Sequence, residues 1–320
     1  MSPAPELLST YKLAYYDETA VLLSEEHYSM PETSTTIKSG SIVSPELPIE
    51  FINTGELDIK TTYVLPVTIK SVEGIGVLQS AKTYYYVFRG ASLINVVCNI
   101  SRNRAYPDFK NDSKFNNLTE NTMEILFKAN SFPNTLNTLM GIESNYLLRI
   151  GDATIPNNQL QVATSVNNCT SADLQLESGK WYHVAVAFNK GNVKVYINGV
   201  EKLSGSTGKS SVSLGAKHTN EEDGSRCFWV GYSYKDDRYF DGVVSEVRIW
   251  NRALTAEEIQ ATNHFYTIEP ESEGLIAYWK FDEGSGTVAK DYSVSGYDLT
   301  IEKEPKWESV SLLSLIHISE

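Results

Sequence analysis

The run Trp181–Phe188 constrains the fold more than any other part of the chain. As a strand it places Tyr182, Val184, Val186 and Phe188 on one side and Trp181, His183, Ala185 and Ala187 on the other. Both faces are then largely apolar, and such a strand needs cover above and below, which puts it at the centre of a layered structure. Asn192–Ile197 follows and ends on Asn198-Gly199. Those two residues accept the positive φ of a type I′ turn, so a hairpin is expected there.

The same reading extends in both directions. Strands are expected at Thr122–Lys128, Asn145–Ile150, Gln159–Ala163, Cys227–Tyr232, Gly242–Trp250 and Gly274–Phe281. One short helix is expected after Leu254, where Thr255 and Glu258 have capping-box spacing and Leu254 with Ile259 can form a hydrophobic staple. Before residue 90 the strands are shorter: Thr10–Asp17, Ala20–Leu23, Ile49–Ile52, Tyr63–Ile69 and Thr83–Phe88. Pro66 cannot donate to a ladder, which suggests an edge position for its strand. Residues 90–115 are rich in Asn, Ser, Arg and Asp and read as a linker and lead-in. The expected fold class is therefore all-β: a small immunoglobulin-like sandwich over 1–89, then a larger jelly-roll sandwich over 116–312.

Composition narrows the partners. A net charge of −13 without a Lys/Arg cluster argues against nucleic acid and anionic lipid. No apolar run is long enough to span a membrane. Cys98, Cys169 and Cys227 form no paired motif, and a Cys169–Cys227 bridge is left open.

Several separated motifs carry a resemblance. Lys180–Ala185, Val195–Gly199, Phe240–Leu254 and Gly274–Gly286 resemble the laminin-G-like domains related to concanavalin A and pentraxins, over roughly residues 102 to 311. Leu22–Pro31 and Tyr63–Ile69 resemble an N-terminal domain of unknown function found in Bacteroidetes surface lipoproteins. The pairing implies an exported protein at the outer cell surface, lipid-anchored through an N-terminal segment that has been removed, beside a polysaccharide-uptake system. It also implies that Gly274–Phe281 re-enters the sandwich as its last strand. Calcium is a ligand the family suggests; Asp291 matches a position near the ion in relatives, and Glu246 stands where they carry an Asp-Glu pair. Leu313–Glu320 departs from the family pattern, looks like translated sequencing-adaptor read-through and is expected to lie outside the native chain.

Catalytic signatures are missing. The Glu-x-Asp-x-x-Glu strand of laminarinase-type glycanases does not occur, and Glu221-Glu222-Asp223 reads as a solvated turn. Gly205–Ser210 superficially suggests a phosphate loop, but the first glycine of that pattern falls on Leu203. The five histidines show no metal-ligand spacing. The segment most suggestive of binding is Tyr232–Phe240, because sugar rings stack C–H faces on aromatics while their hydroxyls need fixed polar partners. Tyr232, Tyr234, Asp236, Asp237, Arg238 and Tyr239 are therefore the candidate ligand-binding residues. The expected function is non-catalytic binding of an oligo- or polysaccharide. The alternatives are a protein-binding adhesion or scaffold module and a glycoside hydrolase with an unrecognised site.

Overall fold

The computed structural model describes residues 1–319 apart from 16, 59–60, 90–93, 219–225, 262 and 313–317. It divides into two units: Met1–Leu93 with Leu313–Glu320, and Ile94–Leu312. Strands dominate the second unit, in line with the all-β expectation, while the first combines a small sheet with one helix and short helical turns.

In the first unit Thr62–Thr68 (β5) pairs along its length with Thr83–Arg89 (β6). Ser2–Pro3 (β1) and Val21–Leu22 (β2) also pair with β5, and Ile318–Ser319 (β23) pairs with β6. The Pro66 strand is thus interior rather than an edge. Its two short neighbours meet it on either side of the proline, β2 at Tyr63 and Val64 and β1 at Val67 and Thr68. A ribbon of Tyr28–Ser29 (β3) and Glu50–Phe51 (β4) brings Phe51 into the cluster of Leu65, Val67 and Phe88. A second cluster joins Val64 to Tyr11 of Leu8–Tyr15 (α1). That helix replaces the strand expected over Thr10–Asp17. Tyr11, Leu13 and Tyr15 alternate like a strand, but helical spacing sets Tyr11 and Tyr15 ring to ring at 4.8 Å and turns Leu13 to solvent.

The second unit is a two-sheet sandwich. Sheet I runs Val200–Ser206 (β16), Asn192–Ile197 (β15), Trp181–Asn189 (β14), Glu120–Ala129 (β9), Gly242–Trp250 (β18), Ile94–Asn99 (β7) and Lys306–Leu312 (β22), with Leu275–Trp279 (β19) also on β18. Sheet II runs Asn168–Cys169 (β13), Ile155–Thr164 (β12), Tyr146–Asp152 (β11), Asn137–Ile142 (β10), Trp229–Val230 (β17), Ala105–Pro107 (β8), Leu299–Ile301 (β21) and Val288–Ala289 (β20). The core between them takes Val184, Val186 and Phe188 from sheet I and Leu148, Ile150, Leu160 and Val162 from sheet II. Ala185 and Ala187, on the other face of β14, pack under Leu254 and Ile259 beside Ala256–Ile259 (α2). The double-faced strand is thus central, as its composition requires. Asn198 and Gly199 have φ of 49° and 76° in the β15–β16 turn, and the Thr255–Glu258 capping box forms.

Two expectations need correction. From Ile94 the stretch expected to be a linker supplies β7 and β8, which enter opposite sheets. Its polar residues make turns rather than spacer: Asn103 donates to the Lys303 carbonyl at 2.7 Å, and Asp112 accepts from the Lys114 amide at 3.0 Å. Nor is the Gly274–Phe281 strand the last of the sandwich, since β20, β21 and β22 follow it.

Candidate ligand-binding face

The outer face of sheet II collects the functional side chains. Phe228 and Val230 enter the core, so Trp229 between them points outward; the same alternation turns Arg149 and Gln161 out. Arg149 pairs across the ladder with Gln161 and with Thr138. Its guanidinium bonds Gln161 Oε1 at 2.8 and 2.6 Å and Asp152 Oδ2 at 2.6 Å. Glu143 links this row to the loop, lying 3.9 Å from Arg149 and 3.3 Å from Arg238. Ser233, in the loop, meets Thr138 at 3.1 Å.

Beside this polar row lies an aromatic nest. The Arg104 guanidinium sits 4.9 Å over the Trp229 ring and 4.5 Å over Tyr232, and it also pairs with Glu302. Tyr232 touches Trp229 at 5.2 Å and Tyr239 at 4.8 Å between ring centres. Tyr106 from β8 stacks on His218 at 3.5 Å, and His218 Nδ1 lies 3.2 Å from Cys227 Sγ. Cys98, Cys169 and Cys227 are all buried, and no two of them are bridged.

The candidate residues are distributed unevenly over this face. Tyr234 and Tyr239 are half-buried, as is Arg238, which donates to the Tyr234 hydroxyl at 3.3 Å. Asp237 is exposed and 3.8 Å from Arg238. Tyr232 is buried beneath Arg104 and serves as a floor. The side chain of Asp236 and the whole of Glu221-Glu222-Asp223 lie outside the described residues. Arg104, Tyr106, Glu143 and Arg149 belong to the same face and were not singled out from sequence. The available signal was the charged Arg149 between two core residues of its strand.

Sheet I carries a different cluster on its outer face, under the segment that follows β18. Glu124 Oε1 lies 2.6 Å from His264 Nε2 and 3.4 Å from His183 Nε2, while Trp250 Nε1 donates to Oε2 at 2.7 Å. One donor atom from each of Glu124, His183 and His264 falls within a 4.8 Å group. These three are the residues that could hold a metal. Yet Arg248, fully buried, stands 3.8 Å from Glu124 Oε2, pairs with Glu246 and donates to the His264 carbonyl at 2.6 Å. A cation is therefore already built in, and the separation from His264 is a hydrogen bond, shorter than two ligands of one metal would leave. Burial opposes ionisation of Glu124, but His264 and His183 outweigh it and hold the carboxyl well below its usual range. Burial lowers His183 to about 4.

Glu246 and Asp291, the two residues expected near calcium, each meet donors of the protein itself. Glu246 takes the Arg248 guanidinium and the Tyr278 hydroxyl at 2.6 Å. Asp291 takes the backbone amides of Tyr278, Ser293 and Tyr297 at 2.9, 2.9 and 2.8 Å. The two carboxylates thus meet opposite ends of Tyr278, and the donors around each are those of an internal structural role.

Residues 103–260 match the family model described as the concanavalin A-like lectin/glucanases superfamily, and residues 2–76 match a model of an N-terminal domain. No curated protein matches the chain. Among solved structures, a Bacteroides ovatus protein provisionally described as carbohydrate binding is 26% identical, with a TM-score of 0.65, covering 99% of this chain and 88% of that one. A pentraxin of Limulus polyphemus is 15% identical at a TM-score of 0.37, covering 53% and 82%. The CBM40 of a Ruminococcus gnavus IT-sialidase, bound to α2,3 sialyllactose, is 15% identical at 0.36, covering 54% and 98%. Residues 103–260 thus match the concanavalin A-like lectin/glucanases superfamily, and residues 2–76 match a second, N-terminal family.

Proposed function

We propose that this protein binds a glycan without cleaving it, at the outer face of sheet II, and that it works at a bacterial cell surface as an accessory to polysaccharide capture. The observation that carries the reading is the convergence on one face of Tyr234, Tyr239 and Tyr106 with Arg238, Glu143 and Arg104. Half-buried aromatics and fixed polar groups side by side match the two chemistries of a sugar ring, its C–H faces and its hydroxyls. The carbohydrate-binding description of the Bacteroides ovatus relative supports the same reading.

A non-catalytic role is supported by how the carboxylates are used. Glu124, Glu246 and Asp291, all buried, are each held by internal donors, and Glu143 is shared between two arginines. Most glycosidases use two carboxyls facing a common cleft about 5–10 Å apart. For location, the N-terminal domain match and the Bacteroides relative support a surface or secreted protein, and lipid anchoring is part of the proposal. No helix among the described residues is long and apolar enough to cross a membrane.

Binding to a panel of immobilised polysaccharides tests this, with product analysis of the same mixtures. Retention of at least one polysaccharide with no shortened product is expected, and retention falls in Arg238→Ala. Failure to retain any polysaccharide while a protein partner is captured would replace this reading with an adhesion module. Release of shorter saccharides would replace it with a glycanase.

A further inference from the structure

Three cations surround one tyrosine. The guanidinium carbons of Arg238 and Arg226 lie 4.7 and 5.4 Å from the centre of the Tyr234 ring, and Lys235 Nζ lies 5.9 Å from it. The chain holds 27 basic against 40 acidic residues, so three cations gathered on one ring are a local concentration of positive charge. We propose that the glycan carries anionic substituents, carboxylate or sulfate, and that Arg226, Lys235 and Arg238 around Tyr234 read them. The proposal rests on the carbohydrate reading above and deepens it.

The charges differ in what balances them. Arg238 is tied to Glu143 at 3.3 Å and lies near Asp237 at 3.8 Å. Arg226 and Lys235, both exposed, have no carboxylate within ion-pair distance among the described residues, and their contact is the Tyr234 ring. Among the described residues nothing of opposite charge competes with a ligand for them. Guanidinium groups already stand over the ring, so a sugar packed at Tyr234 meets cations as well as the aromatic. An arginine laid against an aromatic ring keeps its N–H fork directed outward in a fixed plane, the geometry that grips a carboxylate or sulfate with two parallel hydrogen bonds. Holding the side chains on Tyr234 also lowers the ordering cost of gripping the anion. Glu143 sets the limit on charge: it keeps Arg238 oriented and leaves the two outer cations for the ligand.

The test uses the whole protein and two matched pairs of polymer: polygalacturonate with its methyl ester, and dextran sulfate with dextran. Affinity is measured by titration calorimetry and by its dependence on salt. A charged polymer is expected to bind and its uncharged counterpart to bind far more weakly. Arg226→Ala and Lys235→Ala should each weaken binding by at least about fivefold, the loss of one charge-assisted contact, and Lys38→Ala, an exposed cation of the first unit, should not. The pair that responds distinguishes carboxylate from sulfate. Equal binding of charged and uncharged members would overturn this inference and leave the carbohydrate reading standing. Binding of a charged polymer unchanged in both variants would move the anion site elsewhere and also overturn it. No binding to any polysaccharide, in this set or in the wider panel, would overturn both.

Discussion

His264 Nε2 meets Glu124 Oε1 at 2.6 Å, tying the segment after α2 to the middle of sheet I. Around that contact Arg248, Trp250 and His183 close a network almost without solvent access. Removing the one carboxylate at its centre strands several buried donors at once. Glu124→Ala is expected to cost about 3–5 kcal/mol, the range for breaking a buried ion pair from one side. Glu124→Gln keeps an acceptor for Trp250 and should cost less. Denaturant titration of both variants checks the order.

His183 gives the fold a pH signature. Its folded value is lowered to about 4 because burial disfavours the charged ring, whereas an unfolded histidine titrates near about 6.5. Between those values the unfolded chain binds the proton and the folded one does not, so stability falls as the pH drops through that window. His183 Nε2 lies 3.4 Å from Glu124 Oε1, and the ring stacks on Phe265 at 4.5 Å between centres, a packing that a phenyl ring can take over. In His183→Phe the loss of stability between pH 7 and pH 4.5 should be smaller than in the parent. An equal loss in both would remove His183 as the cause.

Asp291 is a turn organiser. Three backbone amides donate to it in a buried site, and leaving such donors unpaired costs roughly 1–3 kcal/mol. Asp291→Ala should lower the melting temperature by the same amount in calcium and in EDTA. A calcium-induced rise in the parent that is absent in the variant would instead make Asp291 a ligand.

Arg104 covers the aromatic nest. Its guanidinium lies over both Trp229 and Tyr232, and a desolvated cation–π contact is worth about 1–2 kcal/mol. Arg104→Ala should destabilise the second unit by about that amount and shift the emission of Trp229 to longer wavelength as water reaches the ring. An unchanged emission spectrum would contradict this placement.

Local chemistry is what the sequence makes legible. The two apolar faces of Trp181–Phe188, the positive-φ pair Asn198-Gly199 and the Thr255–Glu258 cap each depend on neighbours within a few residues, and each forms as read. The helix Leu8–Tyr15 reads as a strand in the sequence because Tyr11 and Tyr15 satisfy both periods until packing on Val64 decides. Polar residues 94–115 looked like a linker because turn-forming Asn and Asp resemble spacer until their long-range partners are known. The buried network escaped for the same reason: His264 stands 140 residues from Glu124. On the ligand face, the Tyr232–Tyr239 loop stood out as an aromatic and charged segment, but its partners Glu143, Arg149 and Arg104 arrive from distant strands and turns.

Hydrogen exchange of the backbone with and without a retained polysaccharide tests the central claim most directly. Ligand should slow exchange in the amides of Trp229–Phe240 and of the Glu143 turn, and leave those of Trp181–Asn189 unchanged. Protection confined to sheet I or to the first unit, with none across Trp229–Phe240, would contradict the account.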